Sequence, residues 1–239
     1  MALTGRENTP KKIEFLQKSV DYYTDGLRLN PDWGNAWKGR GVVYFTWAKM
    51  LSNSVPEKPR YYSLAVSDHR KALNFGAGAA TIWRMIGTDY FHWGRYTLSR
   101  KQDPRKKYHS AYQAYSKSIK HGPDQFRTWK ERGILQYNWG RYEEEKGRDP
   151  VKHYGVAVHD CSRAIRINDK DSLPYKIRGS AYCARAVQSY KKRIYARDDF
   201  EKGLKDLLKA AKLNPGSVKA SDLDKMKAVL RSLPEKMEE

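Results

Sequence analysis

Aromatic, glycine and small residues recur along this chain at a fixed interval of 46 residues. Within one interval, Tyr154, Ala157, Val158 and Cys161 follow the i, i+3, i+4, i+7 spacing of an apolar helix face. A long period without gaps is typical of a repeat protein, in which each unit buries its apolar face against its neighbours. The recurring positions are Trp37, Trp83, Trp129 and Tyr175; Gly41, Gly87, Gly133 and Gly179; and Ala72, Ser118, Ala164 and Ala210.

Each repeat is interpreted as two helices joined by a connector. Asp103-Pro104 and Asp149-Pro150 favour helix starts, because Asp caps a helix and Pro suits its first turn. Asn30-Pro31, Gly122-Pro123 and Asn214-Pro215 favour helix ends. The pattern therefore predicts helix, connector, helix in each unit.

The first helix carries the pattern W-x(2)-[L/R]-G-x(2)-Y, and the second carries A-x(3)-[F/Y]-x(2)-A before a closing Pro. This pattern resembles the tetratricopeptide repeat (TPR). The resemblance implies an all-α, right-handed α-solenoid of antiparallel helix pairs with about ten helices. The usual TPR period is about 34 residues, so we expect the added residues to prolong the first helix and to form a loop. The residues that carry the resemblance are Trp37, Arg40, Gly41, Tyr44, Ala65, His69 and Ala72, then Trp83, Ile86, Gly87, Tyr90, Ala111, Tyr115, Ser118 and Pro123.

The same period predicts the organisation of the chain. The segment before the first full repeat matches the second half of a repeat, so it is interpreted as an opening helix without a partner. A polar closing helix is expected to shield the last apolar face. The predicted segments are an N-terminal extension at 1–9, the opening helix at 10–33, helix-pair repeats at 34–79, 80–125, 126–171 and 172–216, and a capping helix with a tail at 217–239.

Two repeat positions change together. Arg precedes the recurring Gly in three repeats, and Asp lies 28 residues later in the same three. The second repeat has Ile86 and Ala114 at these positions. The covariation predicts three structural ion pairs between the two helices of a repeat, with coincidence as the alternative. The predicted pairs are Arg40–Asp68, Arg132–Asp160 and Arg178–Asp206.

The resemblance implies that the first helix of each pair lines a binding groove, and helical spacing selects the side chains on that face. They form two cationic columns beside an aromatic column, which suits an extended acidic peptide, or single-stranded nucleic acid stacked on the rings. A solvated cationic face over core aromatics is the structural alternative. Some TPR domains clamp a terminal carboxylate with Lys, Arg and Asn, but Val42 and Ile134 stand where Asn is expected, so we do not transfer that activity. The predicted groove residues are Lys38, Phe45, Lys49, Arg84, Phe91, Arg95, Lys130, Tyr137, Arg141 and Lys176.

The formal charge of +20 favours a polyanionic or acidic partner. Besides the groove, cations cluster in the connectors, which a solenoid would place along one edge. This edge could contact phosphate or an acidic protein, or could serve solubility alone. The predicted basic edge consists of Arg105, Lys106, Lys107, Lys191, Lys192 and Arg193.

No motif of enzymatic chemistry is present: the chain lacks a Gly-rich phosphate loop, HExxH and GxSxG. Cys161 and Cys183 match no metal-binding or haem-binding spacing and are interpreted as core thiols. His92, beside Phe91, is the one histidine near the predicted groove. We therefore expect no enzymatic activity, no cofactor, no metal and no small-molecule substrate.

The function predicted is a protein-interaction scaffold that binds an acidic or extended protein segment in the groove, or docks as a subunit of a larger assembly. An RNA- or DNA-binding adaptor is the alternative, and a membrane-surface adaptor or unrecognised enzyme is the third class. No signal peptide and no transmembrane run is seen, which favours the cytoplasm or an organelle lumen. A targeting segment removed from the N-terminus is compatible with the sequence.

Overall fold

The computed structural model describes residues 9–192 and 194–233, and all regular secondary structure in these residues is α-helical. Ten helices are found there, as the repeat pattern predicts. None of them is long and apolar enough to cross a membrane. The helices are α1 (Thr9–Leu29), α2 (Gly34–Met50), α3 (Lys58–Asn74), α4 (Ala79–Ser99), α5 (Arg105–His121), α6 (Phe126–Glu145), α7 (Val151–Ile167), α8 (Ser172–Lys191), α9 (Arg197–Leu213) and α10 (Ala220–Ser232).

The chain divides into two compact units, with the boundary between Pro123 and Asp124. The first unit holds α1 to α5, and the second holds α6 to α10. In the first unit α2 packs on α3 and α4 on α5; in the second α6 packs on α7 and α8 on α9. The predicted N-terminal extension and C-terminal tail lie largely outside the described residues.

The helix starts predicted from Asp-Pro are present. Asp103 Oδ1 accepts a hydrogen bond from the Arg105 amide at 2.9 Å, and Asp149 Oδ1 accepts one from the Val151 amide at 2.9 Å. These bonds satisfy amide donors that the first turn leaves without helical partners. In the second repeat the first helix is longer than the second, since α4 has 21 residues and α5 has 17.

Glycine and tyrosine make the contact between paired helices close. A Cβ atom on Gly87 would lie 2.6 Å from the ring of Tyr115, and one on Gly94 would lie 2.6 Å from the ring of Tyr108. Both tyrosines are completely buried. Gly87 and Gly94 are therefore needed because α5 places a ring directly against the backbone of α4.

Each predicted Arg–Asp pair is brought together between paired helices. The Nε–Oδ2 distances are 2.7 Å for Arg40–Asp68, 2.7 Å for Arg132–Asp160 and 2.6 Å for Arg178–Asp206. All three aspartates are buried. In the second repeat, Ile86 and Ala114 are also buried and belong to one apolar cluster. An ion pair and an apolar pair thus occupy equivalent positions.

Candidate partner-binding groove

The clearest candidate site in the first unit lies where α2 and α4 present their groove columns. Phe45 is half-buried, and its ring lies edge-on to the ring of His92, with 5.3 Å between centroids. Lys49 Nζ lies 5.6 Å from the centre of the Phe45 ring. Lys49 and Arg95 are both exposed. We call Phe45, Lys49, His92 and Arg95 the groove cluster.

Charge in the groove cluster is of one sign. Helix α2 has no acidic residue, and the single acid of α4, Asp89, is 1% exposed. Burial, with a further contribution from the neighbouring charges of Lys49, Arg95 and Lys58, lowers the pKa of His92 to about 4. The imidazole is therefore neutral at pH 7, and the cluster presents two exposed cations around apolar rings.

The other predicted groove residues of the first unit are less accessible to a ligand. Phe91 is 7% exposed and packs on Tyr108, with 6.1 Å between ring centroids. Lys38 Nζ donates a hydrogen bond to Asn35 at 2.8 Å, and Arg84 is half-buried. Phe45 is therefore more accessible to a ligand than Phe91 is.

In the second unit, two of the predicted groove cations are paired with acids. Lys130 Nζ lies 2.8 Å from Asp171 Oδ2, and Arg141 lies 3.5 Å from Glu145.

The other two predicted groove residues of this unit, Tyr137 and Lys176, are half-buried. Burial raises the pKa of Tyr137. The second unit thus offers an anion less unpaired charge than the groove cluster does.

The predicted basic edge is also partly paired. Arg105 lies 2.6 Å from Asp103, and Lys192 lies 2.9 Å from Asp149. Lys191 lies 3.6 Å from Glu144, Lys106 is exposed, and Arg193 lies outside the described residues. Lys107 Nζ lies 3.3 Å from the centre of the Trp93 ring. The role of this edge stays a prediction.

One buried polar pair joins α3 to α4. His69 Nδ1 lies 2.6 Å from Asp89 Oδ2, and each side chain is 2% exposed. Burial raises the pKa of Asp89, and the adjacent His69 opposes that shift. The repeats do mark Asp89 as unusual, because the first and third repeats have the apolar residues Val43 and Leu135 at this position. The repeat pattern includes His69 but does not reveal Asp89 as its partner.

The described residues contain no group of three or more His, Cys, Asp or Glu side chains that could hold a metal ion. Both cysteines are buried and unpaired, in agreement with core thiols. Burial raises the pKa of Cys183 to about 12 and raises that of Cys161 still more. Neither thiol is therefore activated as a nucleophile.

Comparisons with solved structures identify the class of fold. The MamA protein superposes with a TM-score of 0.56 at 14% identity, covering 89% of this chain and 93% of that one. YrrB, described as a TPR protein with an unusual peptide-binding site, superposes with a TM-score of 0.55 at 17% identity, covering 91% of this chain and 88% of that one. No protein-family model and no curated protein matched the sequence. The chain has the TPR-like, all-α solenoid fold, as the sequence predicted.

Proposed function

We propose that this protein is a non-enzymatic interaction scaffold whose groove cluster binds an acidic, extended segment of a partner protein. The observation that carries this proposal is the arrangement of Lys49 and Arg95, both exposed, around the half-buried rings of Phe45 and His92. Carboxylates of a partner would pair with the two cations, and an apolar side chain would pack on Phe45. The peptide-binding site named for YrrB, which has a similar fold, supports this proposal.

The arrangement favours a peptide over single-stranded nucleic acid in this groove. Base stacking needs open aromatic faces, but Phe91 is buried and the Phe45 ring has His92 against it. The net charge of +20 still makes nucleic acid the alternative to test. Docking as a subunit of a larger assembly uses the same chemistry, with the acidic segment supplied by a neighbouring subunit.

Reversing the groove charges should weaken peptide binding. We expect the Lys49→Glu, Arg95→Glu double variant to bind a fluorescein-labelled Glu/Asp peptide with a central Phe at least about tenfold more weakly, measured by anisotropy. Carboxylates would then face carboxylates across the groove. The matched control is Lys11→Glu, Lys12→Glu, which makes the same change in net charge at exposed positions of α1.

Equal weakening by the groove and control variants would mean that only net charge matters, and the proposal would fail. Titration with an oligothymidylate at about 50 and 200 mM salt separates the alternative, because a nucleic-acid complex loses affinity steeply over this range. An oligonucleotide that binds more tightly than the peptide at the higher salt concentration would favour the nucleic-acid adaptor.

A further inference from the structure

In the first and fourth repeats, the arginine that precedes the recurring glycine bridges two second helices. Arg40 Nη1 donates to Thr24 Oγ1 of α1 at 2.9 Å, while its Nε donates to Asp68 of α3. In the fourth repeat, Arg178 Nη1 donates to Ser162 Oγ of α7 at 3.0 Å, and its Nε donates to Asp206 of α9. The guanidinium therefore fills the space between flanking helices.

All three positions of this bridge are different in the second repeat. The hydroxyl is replaced by Arg70, the arginine by Ile86 and the aspartate by Ala114. Isoleucine is shorter than arginine and carries no hydrogen-bond donor, so Ile86 makes neither of the two polar contacts of the bridge. A cleft of about 540 Å³ lies there between α3, α4 and α5, and this volume falls within the range of ligand sites. Its lining includes Arg70, Trp83, Ile86, Tyr90, Ala114 and Lys117.

The rim of this cleft is cationic. Arg70 Nη2 lies 3.2 Å from the Tyr90 hydroxyl, and Lys117 Nζ lies 4.2 Å from the centre of the Trp83 ring. None of the described residues that line the cleft is acidic. Nearby acids are occupied elsewhere, since Asp68 pairs with Arg40 and Asp89 with His69. The second repeat therefore has a cation at this place, Arg70 of α3, but none of the described lining residues supplies the carboxylate that the aspartate provides in the other repeats.

The cleft is separate from the groove cluster. Trp83, Ile86 and Tyr90 lie on the side of α4 that faces α3 and α5. Arg84 and Arg95 lie roughly on the opposite side of the same helix, because successive residues turn by about 100°. A ligand in the cleft would not contact Phe45 or Lys49.

We infer that this cleft binds a second acidic segment of a partner protein, with one apolar side chain against the half-buried Leu73 and Tyr90 and a carboxylate beside Arg70. The external carboxylate replaces the aspartate that the other repeats supply internally. Lys117 Nζ already covers the Trp83 ring, at 4.2 Å from its centre, so a base would have to displace this lysine in order to stack. A peptide carboxylate can instead pair with Lys117 where it lies.

Restoring the missing bridge tests the inference directly. Ile86→Arg with Ala114→Asp rebuilds the pair found in the other three repeats and should close the cleft while keeping the fold. The probe is a fluorescein-labelled Glu/Asp peptide with a central Leu, and the site-specific readout is the fluorine resonance of Trp83 in fluorotryptophan-labelled protein, assigned with Trp83→Phe. We expect the peptide to shift this resonance in the wild type and to lose at least about tenfold in affinity at this site in the closure variant.

A second pair of variants covers the case in which the closure variant does not fold, as judged by circular dichroism. Arg70→Glu should remove the Trp83 response, whereas Arg60→Glu, exposed on the same helix and outside the cleft lining, should leave it unchanged. Lys49→Glu with Arg95→Glu should leave the Trp83 response intact even if it abolishes capture in the groove. The proposals for the groove cluster and for the cleft can therefore be contradicted independently of each other.

The inference is wrong if the peptide produces no Trp83 response in the wild type, or if a folded closure variant responds with unchanged affinity. It is also wrong if an oligothymidylate, and not the peptide, gives a Trp83 response that closure removes. In that outcome the cleft is a nucleic-acid site.

Discussion

Replacing Arg132 with isoleucine should lower the free energy of unfolding by about 3–5 kcal/mol. Asp160 is completely inaccessible to solvent, and Arg132 donates to it through Nε at 2.7 Å and Nη2 at 2.8 Å. Without the guanidinium, the buried carboxylate would face an apolar side chain and would keep the adjacent His159 imidazole, with Nδ1 3.0 Å from Oδ1, as a polar neighbour. Removing one partner of a buried pair leaves the desolvation of the other uncompensated.

The second repeat supplies the control for this experiment. Arg132→Ile with Asp160→Ala copies the Ile86 and Ala114 combination, and we expect most of the lost stability to return. A double-mutant cycle from urea denaturation isolates the coupling between the two side chains. Equal destabilisation by the single and double variants would show that the arginine contributes by packing rather than by its charge.

Acidification should destabilise the protein through His92, by about 2–3 kcal/mol between pH 7 and pH 4.5. Its folded-state pKa is lowered to about 4 from an ordinary 6.5, first by burial and then by Lys49, Arg95 and Lys58. Below pH 6.5 the imidazole of His92 binds a proton in the unfolded chain, whereas in the folded chain it binds one only near pH 4. Stability from this group is therefore complete above pH 6.5 and is lost as the pH falls toward 4.

The contribution of His92 is isolated by His92→Gln, measured by urea denaturation at both pH values. We expect the variant to lose less stability on acidification than the wild type, with the difference equal to the His92 contribution. His121→Gln, at an exposed position, should acidify like the wild type. An identical pH response in His92→Gln would contradict the lowered pKa.

The repeats made much of the fold readable from one sequence. The 46-residue period, the Asp-Pro helix starts and the Arg–Asp covariation are local or periodic signals, and each repeat acts as a comparison for the others. The groove was less readable. Helical spacing assigned Phe91 and Lys130 to its surface, but spacing does not show that Tyr108 covers the first or that Asp171 pairs with the second.

The sequence by itself determined the all-α repeat architecture, the residues that pair across each helix pair, and the apolar substitute in the second repeat. These features follow from two periodicities, that of the helix turn and that of the 46-residue repeat, and both can be read from the sequence. The tertiary structure alone decided which cations are paired, that His69 meets Asp89, and that Ile86 leaves a cleft between α3 and α5. Such features depend on side chains from helices that are distant in sequence, so distances and burial set them rather than spacing along one helix.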